Sequence, residues 1–336
     1  MKMYKLIFFN TMIMGTLISI SSYSWFAMWM GLEINLLSII PLFNNQKNIF
    51  SSESSLKYFI TQAIASMILL MSVIMLLLLN EFITPLVNFY FLMMMNSALL
   101  TKLGAAPFHF WFPEVMEGLS WMNSLMLLTW QKIAPMVLIM NNSINTTFLL
   151  IVIITCLMVS TIMGFNQVSM RKIMAFSSIN HIAWMLSTMF MSYSMWLLYF
   201  TIYCMINFNI IMLFHKTNTF YASQVNNIMN KNKMVKFSYM MNFMSLGGLP
   251  PFIGFLPKWF VINWLIMNKL YLITFIMIIM TLIMLYIYMR IIFSSMLMSF
   301  NEPKSTELKM SNFALIMINF MTMISLIICT LLFNFY

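Results

Sequence analysis

The chain has 336 residues, of which 62% are hydrophobic and only 7% charged, and its mean hydropathy is +0.92. A soluble globule carries about 25% charged residues, so these values exclude one and predict a polytopic membrane protein. Seventeen basic against seven acidic residues give a formal net charge of +10, but the basic residues are scattered among apolar segments, which argues against nucleic acid as a partner.

Apolar runs long enough to cross a hydrocarbon core of about 30 Å fall near 6–23, 25–43, 57–79, 87–115, 121–141, 147–165, 172–191, 193–215, 237–267, 271–298 and 311–335. They predict an all-α fold of eleven transmembrane helices in a single membrane domain covering 1–336. The opening Met1-Lys-Met-Tyr-Lys5 runs straight into the first run with no cleavage site, so no leader is expected. Alternating the spans across the membrane gathers Lys2, Lys5, Lys47, Lys57, Arg171, Lys172, Lys216, Lys231, Lys233, Lys236, Lys304 and Lys309 on the N-terminal side and leaves only Lys269 on the other. Positive residues collect on the non-translocated side of short loops. The N-terminus is therefore expected inside and Tyr336 outside, with Glu53 and Glu81 read as loop charges. The longest polar link is about 216–236.

Two of the spans, 87–115 and 237–267, carry helix breakers at matched spacing. Gly104, Pro107, Phe108 and Pro113 recur as Gly248, Pro251, Phe252 and Pro257, with Pro250 preceding the second pair, so the pattern G-x-x-P-F-x4-P occurs twice, 144 residues apart. Glycine lacks a Cβ and proline an N–H, so each interrupts a helix. Non-helical backbone at membrane depth is tolerated only where protein buries it or it faces a wet cavity, and paired interruptions mark a duplicated transport unit. A lysine accompanies each copy: Lys102 two residues before the first, Lys258 one residue after the second.

Loops account for all but four of the basic residues. Lys102, Lys132, Lys258 and Arg290 fall inside spans, and Glu33 joins them. Glu33 and Lys132 lie near the middle of their runs, and Lys102 and Lys258 are at comparable depth. A charge at a helix centre costs about 2.5–3.5 kcal/mol on insertion scales, so these groups must face one another or water. A carboxylate at roughly 7 Å in an effective dielectric of about 20 returns ~2.4 kcal/mol, which is comparable. An ammonium balanced in this way can change protonation when its partner moves. A static ion pair of Glu33 with one lysine is the simpler alternative, yet one carboxylate cannot neutralise three lysines. His181, in Ser177-Ser-Ile-Asn-His181, is at similar depth and is either a relay group titrating near neutrality or a hydrogen-bonded core residue. His109 lines or packs the first break, and His215 is at a loop edge. Glu114, Glu117 and Arg290 can reach the interface or cap helix ends.

Cys156, Cys204 and Cys329 stand singly without C-x-x-C spacing, and no Gly-rich phosphate loop occurs, so neither metal, redox nor nucleotide chemistry is expected on this chain. The abundance of Met, 43 residues, fits an AT-rich gene read with a code in which ATA means Met, as in animal mitochondria.

The segments Trp29-Met-Gly-Leu-Glu33-Ile-Asn35, Lys102-Leu-Gly-Ala-Ala-Pro-Phe-His-Phe-Trp111, Thr129-Trp-Gln-Lys132-Ile-Ala-Pro135, Ser177-Ser-Ile-Asn-His181 and Gly247-Gly-Leu-Pro-Pro-Phe-Ile-Gly-Phe-Leu-Pro-Lys258-Trp259 together resemble the subunit 2 family of mitochondrial respiratory complex I, NADH:ubiquinone oxidoreductase. The resemblance covers essentially the whole chain. It implies an antiporter-like fold with two inverted five-helix units, about 6–141 and 147–298, followed by a C-terminal helix over 311–335. It implies that Glu33 and Lys102 are a coupling pair, Lys132 the central lysine and Lys258 the lysine of the second broken helix. Flavin, iron–sulfur clusters and ubiquinone would be held by other subunits, with no cofactor on this chain. Partners would be the other membrane subunits and membrane lipids, cardiolipin among them, in the mitochondrial inner membrane. The expected function is proton translocation coupled to electron transfer elsewhere, through Glu33, Lys102, Lys132, His181 and Lys258. The alternative is a stand-alone cation/proton antiporter.

Overall fold

A computed structural model of the chain describes residues 3–44, 48–79, 85–142, 145–225 and 233–297. The helix expected over 311–335, the charges Lys2, Lys47, Glu81, Lys231, Lys304 and Lys309, and Cys329 lie outside those residues. The described residues form α-helices, with no strand beyond one isolated antiparallel bridge between Ser169 and Tyr221. Six helices among them are long and apolar enough to cross a membrane: Met3–Ser21, Trp25–Phe43, Ile49–Leu78, Thr146–Phe165, Tyr193–Thr217 and Tyr271–Ser294. The chain divides into two compact units, Met1–Val152 and Ile153–Tyr336, each containing one broken helix.

In the first unit, α1 (Met3–Ser21) and α2 (Trp25–Phe43) pair through small residues. Met12, Gly15, Thr16 and Ser19 of α1 and Met28, Gly31, Leu32 and Asn35 of α2 are buried at helical three- and four-residue spacing. A Cβ on Gly31 would stand 2.6 Å from the Ser19 nitrogen and one on Gly15 2.8 Å from the Asn35 nitrogen. Lipid tails are as apolar as leucine, so helices in a membrane associate by such close approach. Ser24 caps α2, its hydroxyl accepting from the Ala27 N–H at 3.3 Å.

Helix α3 (Ile49–Leu79) has 31 residues and is therefore about 46 Å long, well beyond the hydrocarbon thickness. Its extra turns hold Glu53 and Lys57, which the sequence placed in a loop; the structure makes them helical and pairs them at 2.9 Å. Serine and threonine hydroxyls along these helices return to carbonyls one turn back, as Ser66 does to Ala63 at 2.7 Å and Ser72 to Leu69 at 2.6 Å, which satisfies them without water.

Next come α4 (Pro85–Leu103) and α5 (Trp111–Gly118), the two halves of the first broken helix. The run 121–141, expected as one span, is two helices, α6 (Trp121–Leu128) and α7 (Trp130–Asn141), meeting at Thr129 with φ −113° and ψ −71°. Pro135 lies within α7, where its ring cannot donate to the carbonyl of Gln131, two residues past this junction, and crowds it. The Lys132 N–H instead reaches the Thr129 carbonyl at 3.2 Å.

The second unit contains most of α8 (Thr146–Phe165), with α9 (Met170–Thr188), α10 (Tyr193–Thr217), α11 (Lys233–Gly247), α12 (Phe255–Met267) and α13 (Tyr271–Leu297). Every residue of α9 except Arg171 and Lys172 is buried, so it is a central helix rather than an amphipathic one. The polar link after α10 is clipped back onto the α8–α9 turn: the Met170 N–H donates to Phe220 at 2.9 Å and that of Ala222 to Val168 at 3.1 Å.

Candidate functional site

The two breaks have the same backbone geometry. Gly104 and Gly248 adopt φ +74° and +78°, the left-handed region that glycine enters without steric cost. At the first, the Gly104 N–H donates to Thr101 at 3.2 Å and the Ala105 N–H to Leu100 at 3.1 Å. At the second, the Gly248 N–H donates to Ser245 at 3.1 Å and the Leu249 N–H to Met244 at 3.4 Å. Both are Schellman terminations in the same register, so the repeated sequence pattern encodes a repeated helix end. Pro107 follows a cis peptide bond in the first copy. Pro250 and Pro251 lie in the turn between α11 and α12.

What fills the space above each glycine differs. A Cβ on Gly104 would meet the Phe112 side chain at 3.1 Å, and the Lys132 ammonium lies 5.8 Å from the centre of that same ring. Lys132 is 1% exposed. The carbonyls of the first helix end are taken by neutral donors: Trp111 Nε1 reaches Thr101 at 3.1 Å and Gln62 Nε2 reaches Lys102 at 3.4 Å. His109 is buried beside the break, with Nδ1 3.2 Å from the Pro107 carbonyl.

Lys102, 8% exposed, borders a cavity of about 20 Å³ together with Asn35, Tyr58, Gln62, Gln131 and Pro135, a space sufficient for a water molecule. A polar network forms part of its wall. Asn35 Nδ2 donates to Gln131 Oε1 at 3.2 Å, Gln131 Nε2 donates to Asn35 Oδ1 at 3.0 Å, and Tyr58 donates to the same Gln131 oxygen at 3.3 Å. Glu33, two residues before Asn35 on α2 and so on a different face of that helix, is half-buried, with Oε1 shielded from solvent and without a hydrogen bond. It makes no contact ion pair with Lys102.

In the second unit Lys258, 6% exposed, donates from Nζ to the Gly247 carbonyl at 3.0 Å and lies 5.8 Å from the centre of the Trp184 ring. Trp184 follows His181 by three residues on α9, and His181 is buried with Nδ1 2.9 Å from the Tyr199 hydroxyl. Ser177 and Ser178 donate their hydroxyl protons to the Met174 and Ala175 carbonyls, each at 2.7 Å, and their oxygens stay available as acceptors within the polar patch expected there. Among the described residues, no three His, Cys, Asp or Glu side chains come together in a metal-binding group.

The structure thus brings Lys102 but not Glu33 to the lining of one polar cavity, places Lys132 on the ring that seals the first break, and places Lys258 in the second break beside the helix of His181. Arg290 is exposed, with its guanidinium 5.7 Å from the Phe165 ring. Glu114 is paired with Lys57 at 2.9 Å on an exposed face. The structure adds Tyr58, Gln62 and the Asn35–Gln131 pair. Their signal in the sequence was the presence of amides and a phenol in otherwise apolar runs.

The chain has relatives both in sequence and in fold. Residues 22–285 match the family model described as NADH:quinone oxidoreductase/Mrp antiporter, transmembrane. The NADH-ubiquinone oxidoreductase chain 2 of Anopheles gambiae is 53% identical over 258 residues, which are 76% of this chain and 75% of that protein. In structure, a chain of respiratory complex I from Thermus thermophilus superposes with a TM-score of 0.85 at 18% identity, covering 98% of this chain and 78% of that one. A chain of the Mrp complex from Dietzia sp. gives 0.75 at 15% identity, covering 89% and 61%. These two likenesses show a shared antiporter-like fold. The chain belongs to the NADH-ubiquinone oxidoreductase chain 2 family, within the wider NADH:quinone oxidoreductase/Mrp antiporter membrane family.

Proposed function

We propose that this chain is the second membrane subunit of an NADH:ubiquinone oxidoreductase and translocates protons across the mitochondrial inner membrane, driven by electron transfer from NADH to ubiquinone on other subunits. One observation carries the reading: Lys102, Lys132 and Lys258 are buried to 8, 1 and 6% exposure, two of them at helix breaks. Intramembrane ionisable groups are costly and mark ion pathways. In this reading Glu33 and Lys102 receive an electrostatic signal from a neighbouring subunit, and Lys132, His181 and Lys258 carry it and the protons onward. Flavin, iron–sulfur clusters and ubiquinone belong to partner subunits, and lipids including cardiolipin cover the remaining faces. Eleven spans, an inverted pair of five-helix units, an N-terminus in the matrix and a C-terminus in the intermembrane space complete the proposal.

Kinship at 53% identity to a complex I chain, against 15% to the Mrp chain, favours this reading over a stand-alone antiporter. Replacing Lys102 by Met in the intact complex tests it. The variant should assemble and pump fewer protons per electron pair, and undiminished pumping would sink the role. Cation/proton exchange by this chain alone in liposomes would favour the antiporter.

A further inference from the structure

The second break contains a feature the first lacks. Its Schellman bonds use the carbonyls of Met244 and Ser245, and the Gly247 carbonyl, at the negative end of α11, is met by a cation rather than a neutral donor. The space for that cation exists because Gly248 has no side chain: a Cβ there would stand 2.9 Å from Lys258 Nζ and 3.0 Å from its Cδ. The Trp184 face supplies a second attraction at 5.8 Å, since a ring quadrupole draws a desolvated cation. No carboxylate among the described residues pairs with Lys258 in contact. An aromatic face attracts a desolvated cation, and a carbonyl oxygen accepts from a cation that carries N–H donors.

We propose that the Gly247 carbonyl, the notch above Gly248 and the face of Trp184 form a binding site for a small primary ammonium ion, which Lys258 fills with its own tethered head group. The corresponding place in the first break is no such site, because Phe112 fills the Gly104 notch; the side-chain donors there, Trp111 and Gln62, reach the neighbouring carbonyls of Thr101 and Lys102. A single carbonyl at hydrogen-bond distance calls for an N–H donor. Hard metal cations prefer several oxygen ligands, so the site selects an ammonium by its chemistry. Duplication of the helix end thus produced one copy sealed by an aromatic ring and one that holds a cation.

The test removes the tether and supplies the head group. In the intact complex, Lys258→Ala should lower proton pumping several-fold, and methylammonium should restore it in a saturable way. Tetramethylammonium, which has no N–H and is too bulky for the notch, should not. The same complex carrying Trp184→Leu as well should lose the response, and Lys258→Gln, whose amide can cap Gly247 itself, should assemble and stay unresponsive. Failure of methylammonium to restore pumping, equal rescue by tetramethylammonium, or rescue without Trp184 would each overturn the site. If Lys258→Ala cannot assemble, methylammonium present during assembly should raise the yield of complex, and no increase counts against the site. The pumping readout rests on the proposed function. Normal pumping by Lys258→Ala would refute the role of Lys258 there, and the site is then decided by the structure of that variant in methylammonium. Density at hydrogen-bond distance from the Gly247 carbonyl supports the site, and its absence overturns it.

Discussion

Glu114 and Lys258 occupy the same place in the two copies of the repeated motif, directly after its final proline, and the structure sends them in opposite directions. Glu114 points outward to an exposed pair with Lys57 at 2.9 Å, whereas Lys258 turns inward to the Gly247 carbonyl at 3.0 Å. Helix registers and Schellman ends match, so the difference lies in the side chains: a carboxylate has no N–H to offer a helix C-terminus, and an ammonium has three.

The first prediction follows from that contrast. Glu114→Gln removes one member of a solvated pair, and such pairs contribute little because water and salt screen them. The complex carrying it should assemble and pump as the native one does, while Lys258→Gln assembles and pumps poorly. Proton-to-electron ratios in membrane vesicles decide the matter; a comparable loss in the Glu114 variant would mean that the outward position also serves the relay.

The breaks were legible in the sequence because glycine and proline have backbone consequences independent of context, and Gly104 and Gly248 do carry the positive φ that their role requires. The buried lysines were legible because a charge in an apolar run has few explanations. Contacts were not. Gln131 and Asn35 are 96 residues apart in sequence, and nothing local states that their amides meet. The break at Thr129 was missed for a different reason. Pro135 was visible, but the carbonyl it leaves without a donor lies inside α7 rather than at the junction. Glu53 and Lys57 were misplaced because a hydropathy window ends where polar residues begin, whereas the helix continues.

His181 can be tested as a carrier against its role as a packed core group. Its Nδ1 is 2.9 Å from the Tyr199 hydroxyl, so Tyr199→Phe removes that partner while keeping the ring. If His181 passes protons, Tyr199→Phe and His181→Gln should both slow pumping in complexes that assemble to native amounts. Normal pumping in both variants would assign His181 to packing alone.

A third prediction concerns the α1–α2 crossing. Gly31→Ala places a methyl group 2.6 Å from the Ser19 backbone nitrogen, and backbone cannot rotate away as a side chain can. Overpacking of this kind costs about 1–3 kcal/mol or more, so the variant should accumulate less assembled complex and lose activity at lower temperature. Gly164→Ala is the control, since its methyl would meet the Ile287 Cδ1 at 3.4 Å, the Phe176 Cβ at 3.5 Å and the Met284 Sδ at 3.7 Å, all ordinary contacts, and helix propensity favours alanine by about 1 kcal/mol. Equal tolerance of both would mean that α1 and α2 separate more readily than their packing implies.

The last prediction separates structure from transport at the cavity beside Lys102. Gln131 exchanges two hydrogen bonds with Asn35, at 3.2 and 3.0 Å, and accepts a third from Tyr58 at 3.3 Å. Replacing Gln131 by leucine strands the buried Asn35 amide, at a cost of about 1–3 kcal/mol, and replacing Asn35 leaves the half-buried Gln131 with only its Tyr58 bond. Replacing both removes the stranded amide and leaves the Tyr58 hydroxyl without its acceptor just as Gln131→Leu alone does, so the double variant should be destabilised by less than the sum of the single variants. Thermal inactivation midpoints of Asn35→Leu, Gln131→Leu and the pair close the cycle. Pumping should follow a different rule. The double variant removes polar wall from a space sized for water next to Lys102, so it should pump least even though its stability partly recovers. Recovery of pumping in step with stability would show that the amide pair only joins α2 to α7.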